Sequence, residues 1–102
     1  MTNTVAQLTL QETRLQFGGV VHFDNAEKVC ADGVKLLKQA GKSLVIDMQE
    51  LASSNSLVVA ILVSWTRIAS RSQQNLHISH MPDKLRAIIS VSGLTTALPE
   101  LP

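Results

Sequence analysis

The chain is poor in the residues that mark several functional classes. It has one cysteine, Cys30, no tyrosine and only three aromatic side chains, Phe17, Phe23 and Trp65. One cysteine excludes an internal disulfide and fits a reducing compartment. So few aromatic rings leave no platform on which nucleic-acid bases could stack. The formal net charge is only +1, so there is no long-range attraction for nucleic acid or acidic lipid. The longest apolar run, residues 57–63, is far short of the roughly 18 needed to span a bilayer. The N-terminus is polar and lacks the charged-then-apolar pattern of a signal peptide. There is no Gly-rich phosphate loop, because Gly18-Gly19 lacks the rest of either nucleotide fingerprint. There is also no internal repeat or linker.

What is present is a core. Hydrophobic residues make up 45% of the 102 and charged residues 17%, which is globular composition sufficient for one domain, residues 1–102. The central stretch is residues 44–71. Leu44-Val45-Ile46-Asp47 reads as a short strand ending in a carboxylate, and a polar loop over 48–54 follows. Asn55 and Ser56 are both good N-cap types for the apolar run after them, because a side-chain oxygen can accept a bond from a first-turn amide. A strand, a tight loop and a helix N-terminus form a common place for a functional residue in an α/β domain.

On the N-terminal side, residues 5–10 alternate as a first strand. Leu15, Phe17 and Val20-Val21 form a second, with residues 11–14 as the hairpin connection. Leu8, Leu10, Leu15 and Phe17 are expected in the core. The glycine pair predicts a bulge or a close backbone approach. Asp24 and Glu27 have capping-box spacing, opening a helix to about Ala40. Ala26, Val29, Cys30, Val34 and Leu37 share its apolar face, with Cys30 as a small buried hydrophobe. Gly33 costs that helix about 1 kcal/mol against Ala, which close packing would explain. Gly41 suits the C′ position. Beyond the central stretch, residues 76–79 read as a last strand. Pro82 opens a short helix with Leu85, Ile88 and Ile89 on its apolar face, and Gly93 ends it. The tail, residues 98–102, carries two prolines and is expected to be irregular. The order β-β-α-β-α-β-α predicts an α/β fold with a mixed sheet of four or five strands and crossover helices.

Chemistry is sparse. His77 and His80 have only Asp83 near them in sequence, too few ligands for a metal site, and are expected to flank the last strand at the surface. No Ser-His-Asp order has a local motif. An enzyme built on Ser53, Ser54 and Ser56 remains a third reading behind two binding functions.

The strand ending at Asp47, the loop and the helix start resemble the STAS domain family. That family comprises anti-sigma-factor antagonists, cytosolic domains of sulfate transporters and MlaB-like subunits of phospholipid-transporting ABC complexes. Counted from Asp47, Asn55 stands where the family has a second Asp, and Ser56 falls on the following Ser/Thr. Leu57 falls on the residue phosphorylated in antagonists, and Val58 on a Gly. Residues 15–21 are similar to the family's second strand, and residues 85–94, ending Ser92-Gly93-Leu94, look like its closing helix. The second Asp and the Gly are absent, and Ser54 replaces a usual apolar residue. MlaB-like members also lack a hydroxyl at the position of Leu57 and keep one at that of Ser56.

The resemblance therefore implies a STAS (anti-sigma-factor-antagonist-like) fold. It implies a non-catalytic cytoplasmic accessory subunit without cofactor or metal, which binds and supports the MlaF-like ATPase and its permease. In that role it serves phospholipid transport and outer-membrane lipid asymmetry, reaching the inner membrane only through its partner. The alternative is an anti-sigma-factor antagonist in a partner-switching system.

Helical geometry adds a surface. At about 100° per residue, Leu57, Val58, Ile61, Leu62, Trp65, Ile68 and Ala69 share one broad core face. Val59 and Val63 fall outside it, beside Ser56, Ala60 and Arg67. Either a neighbouring helix covers these valines, or Asn55, Ser56, Val59, Ala60, Val63 and Arg67 form the surface that meets the partner. Trp65 belongs to the core in this scheme, although a large aromatic there also suits an anchor.

Overall fold

Alternation of apolar and polar residues decides which side of each strand is buried. Leu15 and Phe17, Leu44 and Ile46, and Leu76 and Ile78 point to one side and are buried. Thr9, Gln16 and His77 face the other side and are exposed, so helices cover one face of the sheet only. The computed structural model describes residues 6–94 and 98–101. Val5, the expected start of the first strand, and Pro102 lie outside the described residues.

The elements are β1 (Gln7–Gln11), β2 (Arg14–Gly18), α1 (Ala26–Gln39), β3 (Ser43–Asp47), α2 (Ser56–Arg71), β4 (Asn75–Ser79) and α3 (Asp83–Val91). The four strands lie in the order β1-β2-β3-β4. The β1–β2 hairpin is antiparallel, with Leu8 opposite Phe17 and Leu10 opposite Leu15. The β2–β3 and β3–β4 pairs are parallel, so α1 and α2 are crossover connections. The expected α/β class, mixed sheet and element order all hold.

The described tail residues 98–101 form no helix or strand, as expected, but they are tied down by one isolated bridge. Their backbone bonds to the outer edge of β4: the Ile78 amide donates to the Pro99 carbonyl at 2.9 Å, and the Leu101 amide to the Ile78 carbonyl at 2.7 Å. Pro99 lacks an amide, but the edge calls on its carbonyl and takes its donor from Leu101, so proline is compatible there. Leu98 is buried, and Arg86 holds Glu100 in an ion pair.

Helix α1 also starts differently. Asn25, not Asp24, is its N-cap, and its side chain makes no cap bond. Instead Asn25 turns back, accepting from the His22 amide and donating to the Val20 carbonyl, both at 2.9 Å. The turn closed by Asn25 shifts the helix start one residue past Asp24, so Asp24 is not the N-cap that the capping box requires. Strand β2 ends at Gly18, earlier than Val20-Val21 suggested, because Gly19 adopts φ +82°. The close approach expected of the glycine pair is present. A Cβ on Gly18 would stand 2.9 Å from the Glu50 Cβ, and Gly19 exchanges backbone bonds with Glu50 and Ala52. Gly41 follows an extended Ala40 and takes no left-handed conformation, whereas Gly93 does, at φ +72°.

The core centres on Trp65, fully buried with Phe17. The two rings meet edge to face, centroids 5.2 Å apart, an arrangement the ring quadrupoles favour. The Trp65 indole N–H donates to the Cys30 carbonyl at 3.0 Å, which fixes the ring against α1. Gly33 makes that seat possible, since a Cβ there would stand 2.1 Å from Trp65 Cζ2. Cys30 is only half-buried, not the fully buried hydrophobe expected. It sits at the α1–α2 seam, its thiol 3.7 Å from the Ser64 hydroxyl.

Gly33→Ala should therefore destabilise the protein by about 2–3 kcal/mol despite its better helix propensity, because overpacking outweighs propensity. Gly41→Ala, with nothing within 4 Å of its Cβ position, should be neutral or stabilising by about 0.5 kcal/mol. Urea unfolding of the two variants beside the parent checks the contrast; equal effects would remove the packing explanation.

Candidate functional site: the β3–α2 loop and the outer edge of α2

Residues 48–54 are held by bonds at both ends. At the first, Asp47 is 7% exposed and accepts three hydrogen bonds. They come from Arg14 Nη1 at 2.8 Å, His80 Nδ1 at 2.9 Å and the Gln49 amide at 3.0 Å. Burial works against the charge on Asp47. The bonds from Gln49, His80 and Arg14 outweigh it and hold the carboxyl below the usual carboxylate range. His80 thus flanks β4 as expected but is engaged with Asp47, in a left-handed conformation at φ +56°. His77 is exposed. Among the described residues no group of three His, Cys, Asp or Glu side chains could hold a metal ion.

At the other end, Asn55 caps α2. Its Oδ1 accepts from the Val58 amide at 3.1 Å, and its Nδ2 donates to the Val21 carbonyl at 2.9 Å. An aspartate could accept the first bond but not donate the second, so asparagine suits this chain at the position of the second Asp. Ser53 Oγ accepts from the Val21 amide at 2.9 Å. Val21 therefore pins the loop before α1 to the start of α2. With Asn55 as cap, the exposed Ser56 is free of that duty.

The remaining site residues of α2 divide by burial. Ser56, Ala60 and Arg67 are exposed, Val63 is half-buried, and Val59 is 5% exposed and part of the core. The outward position expected of Val59 is thus corrected. Val59 lies at the edge of the broad core face and belongs to the buried core cluster. Together Ser56, Val59, Ala60, Val63 and Arg67 line one groove of about 640 Å³, with Ser92 and Leu94 among the other lining residues. Asn55 is half-buried beside it in sequence. The contributions of Arg71, Ser92 and Leu94 were not foreseen from sequence; the helix stop at Gly93 was the one available signal. Phe23 was also missed. It is 86% exposed and lies two residues after Val21, whose carbonyl bonds to Asn55.

The comparisons with known proteins agree with this architecture. The family model described as "Mlab, STAS domain" matches residues 4–100. A search of curated proteins finds no match. Among solved structures, a chain of the Acinetobacter MlaFEDB complex in an ATP-bound conformation superposes with a TM-score of 0.82 and 28% identity. That match covers 93% of this chain and 99% of the other. An anti-sigma factor antagonist from Mycobacterium paratuberculosis superposes at 0.73 with 14% identity, covering 98% and 86%. The phosphorylated Bacillus cell fate determinant SpoIIAA superposes at 0.68 with 15% identity, covering 96% and 92%. The last two show a shared fold.

The lowered carboxyl of Asp47 has a defined pH signature. A depressed pKa contributes stability that is present above about pH 4 and lost as pH falls through the lowered value. Asp47→Asn should cost about 1 kcal/mol at pH 7, a modest figure because Arg14 and His80 are half exposed and screened by water. Urea unfolding should show that gap narrowing as pH falls below about 4; a gap of constant size would mean that the charge contributes nothing.

The match across nearly the whole chain, together with the β3–loop–α2 geometry, establishes that this chain belongs to the MlaB-type STAS domain family.

Proposed function

We propose that the chain is a non-catalytic accessory subunit that docks on the ATPase of a phospholipid-transporting ABC complex and supports its action with the permease. The observation that carries this reading is the likeness to a subunit of the Acinetobacter MlaFEDB complex over 93% of the chain. Its 28% identity stands against 11–15% for anti-sigma factor antagonists. In this reading the protein is cytoplasmic, held at the inner membrane through its partner, and serves outer-membrane lipid asymmetry. Among the described residues no helix is long and apolar enough to cross a membrane. Leu57, at the position phosphorylated in antagonists, has no hydroxyl to accept a phosphoryl group.

Asn55, Ser56, Val59, Ala60, Val63 and Arg67 form the docking surface in this proposal, in two roles. Ser56, Ala60 and Arg67 contact the partner. Asn55 and Val59 hold the surface in shape, and Val63 bridges the two roles.

Co-purification of the tagged chain from its native cell tests the assignment. The ABC ATPase and its permease should be recovered. Recovery of a sigma-factor regulator with kinase-dependent labelling would favour the antagonist alternative. Ala60→Glu, at an exposed helical position, should lower ATPase recovery at least about tenfold without a change in melting temperature. Ser56→Ala should weaken the complex with the cap left intact. Val59→Asp is unsuitable as a surface probe, since a buried carboxylate there should unfold the domain. Normal recovery with both Ala60→Glu and Ser56→Ala would place docking elsewhere.

A further inference from the structure

The groove beside α2 is one-sided in charge. Val59, Val63, Ile68 and Leu94 give it apolar walls, and among the described residues Arg67 and Arg71 are the charged ones that line it. Among the described residues neither arginine takes part in an ion pair. The ion pairs among them join Arg14 to Asp47, Lys28 to Asp32, and Arg86 to Asp83 and Glu100. Arg71 lies in the last turn of α2, where the helix dipole favours a cation. Arg67 lies a turn earlier and gains little from that effect. Two guanidinium groups thus stand one turn apart on the rim of an apolar groove in a protein of net charge +1.

We propose that this groove takes an acidic amphipathic helix of the ATPase partner. Its apolar side chains pack against Val63, Ile68 and Leu94, and two carboxylates one turn apart pair with Arg67 and Arg71. The inference rests on the docking reading above and specifies the chemistry of the partner at that site. Carboxylates spaced i,i+4 on a helix running along α2 repeat the spacing of the arginines, about 6 Å. The planar guanidinium forks can grip them in bidentate fashion. Charge at the rim speeds and orients docking, and the apolar walls supply the buried centre.

The test measures the dissociation constant between the purified chain and the purified ATPase–permease complex of the same cell, at 50 and 500 mM NaCl. The parent chain should bind about tenfold more weakly at the higher salt, as screening removes exposed charge pairs. Arg67→Ala/Arg71→Ala should bind about tenfold more weakly at 50 mM and lose most of the salt dependence, with melting temperature unchanged. Arg67→Glu/Arg71→Glu should bind more weakly still, because carboxylates would then face carboxylates. Binding that is salt-independent and unaffected by either double variant would overturn the acidic-helix inference and leave the docking reading standing. Absence of binding by the parent chain at either salt would overturn both.

Discussion

The seat of Trp65 on α1 is the contact on which the arrangement of this domain depends. The indole lies where a side chain at position 33 would otherwise be, and its N–H is fixed by the Cys30 carbonyl. Those two facts set the distance and rotation of α2 relative to α1, and Phe17 beneath the ring ties both helices to the sheet. Rotation follows from helical geometry. Ala60 and Arg67 are about 140° and 200° from Trp65 around the helix axis, so a tryptophan turned inward turns those residues out. Replacing the glycine would disturb more than a core contact, because the outward edge of α2 is oriented by the same seat.

A second set of constraints acts at the sheet end of α2. Asp47 and Asn55 lie at opposite ends of the loop, and each engages a distant segment: Asp47 reaches Arg14 and His80, and Asn55 reaches Val21. The loop is thus bonded at its boundaries while the exposed Ser56 just beyond it is left available. The acid-sensitive carboxylate and the neutral amide do related work by different means. Asp47 holds the Arg14 guanidinium, the His80 ring and the Gln49 amide, whereas Asn55 accepts with one atom and donates with the other. This accounts for asparagine at a position where the family pattern carries aspartate.

Much of the fold was legible because its signals are local. Period-two alternation marked the strands, helical spacing marked α1 to α3, and the odd glycine in α1 pointed to a close approach whose partner only the structure could name. The errors came where a local signal met a competing contact. The Asp24–Glu27 spacing has the form of a capping box, but Asn25 closes a turn with Val20 and His22. Gly41 follows a helix as a C′ residue would, yet extended Ala40 removes the need for a left-handed residue. The tail is irregular as its prolines require, but its bridge to β4 spans some 20 residues and no local signal marks it. The Asp47–His80 contact spans 33 residues, and no motif announces it. The family pattern located the loop and the helix start; it did not reveal the groove wall at Ser92 and Leu94, which arises from tertiary packing.

Val59 shows why helical periodicity alone was not enough to define that surface. A wheel assigns a residue to a face, but burial depends on what lies across from it, and α2 packs against α3 as well as against the sheet and α1. Val59 is therefore both core and groove wall, while Val63, one turn later, is half-covered. A wall made from residues that the fold itself requires cannot be altered freely without loss of stability. The exposed positions Ser56, Ala60, Arg67 and Arg71 carry no such cost. A change of charge at those exposed positions is open to the fold in a way that a change at Val59 is not, so the rim can vary while the wall cannot.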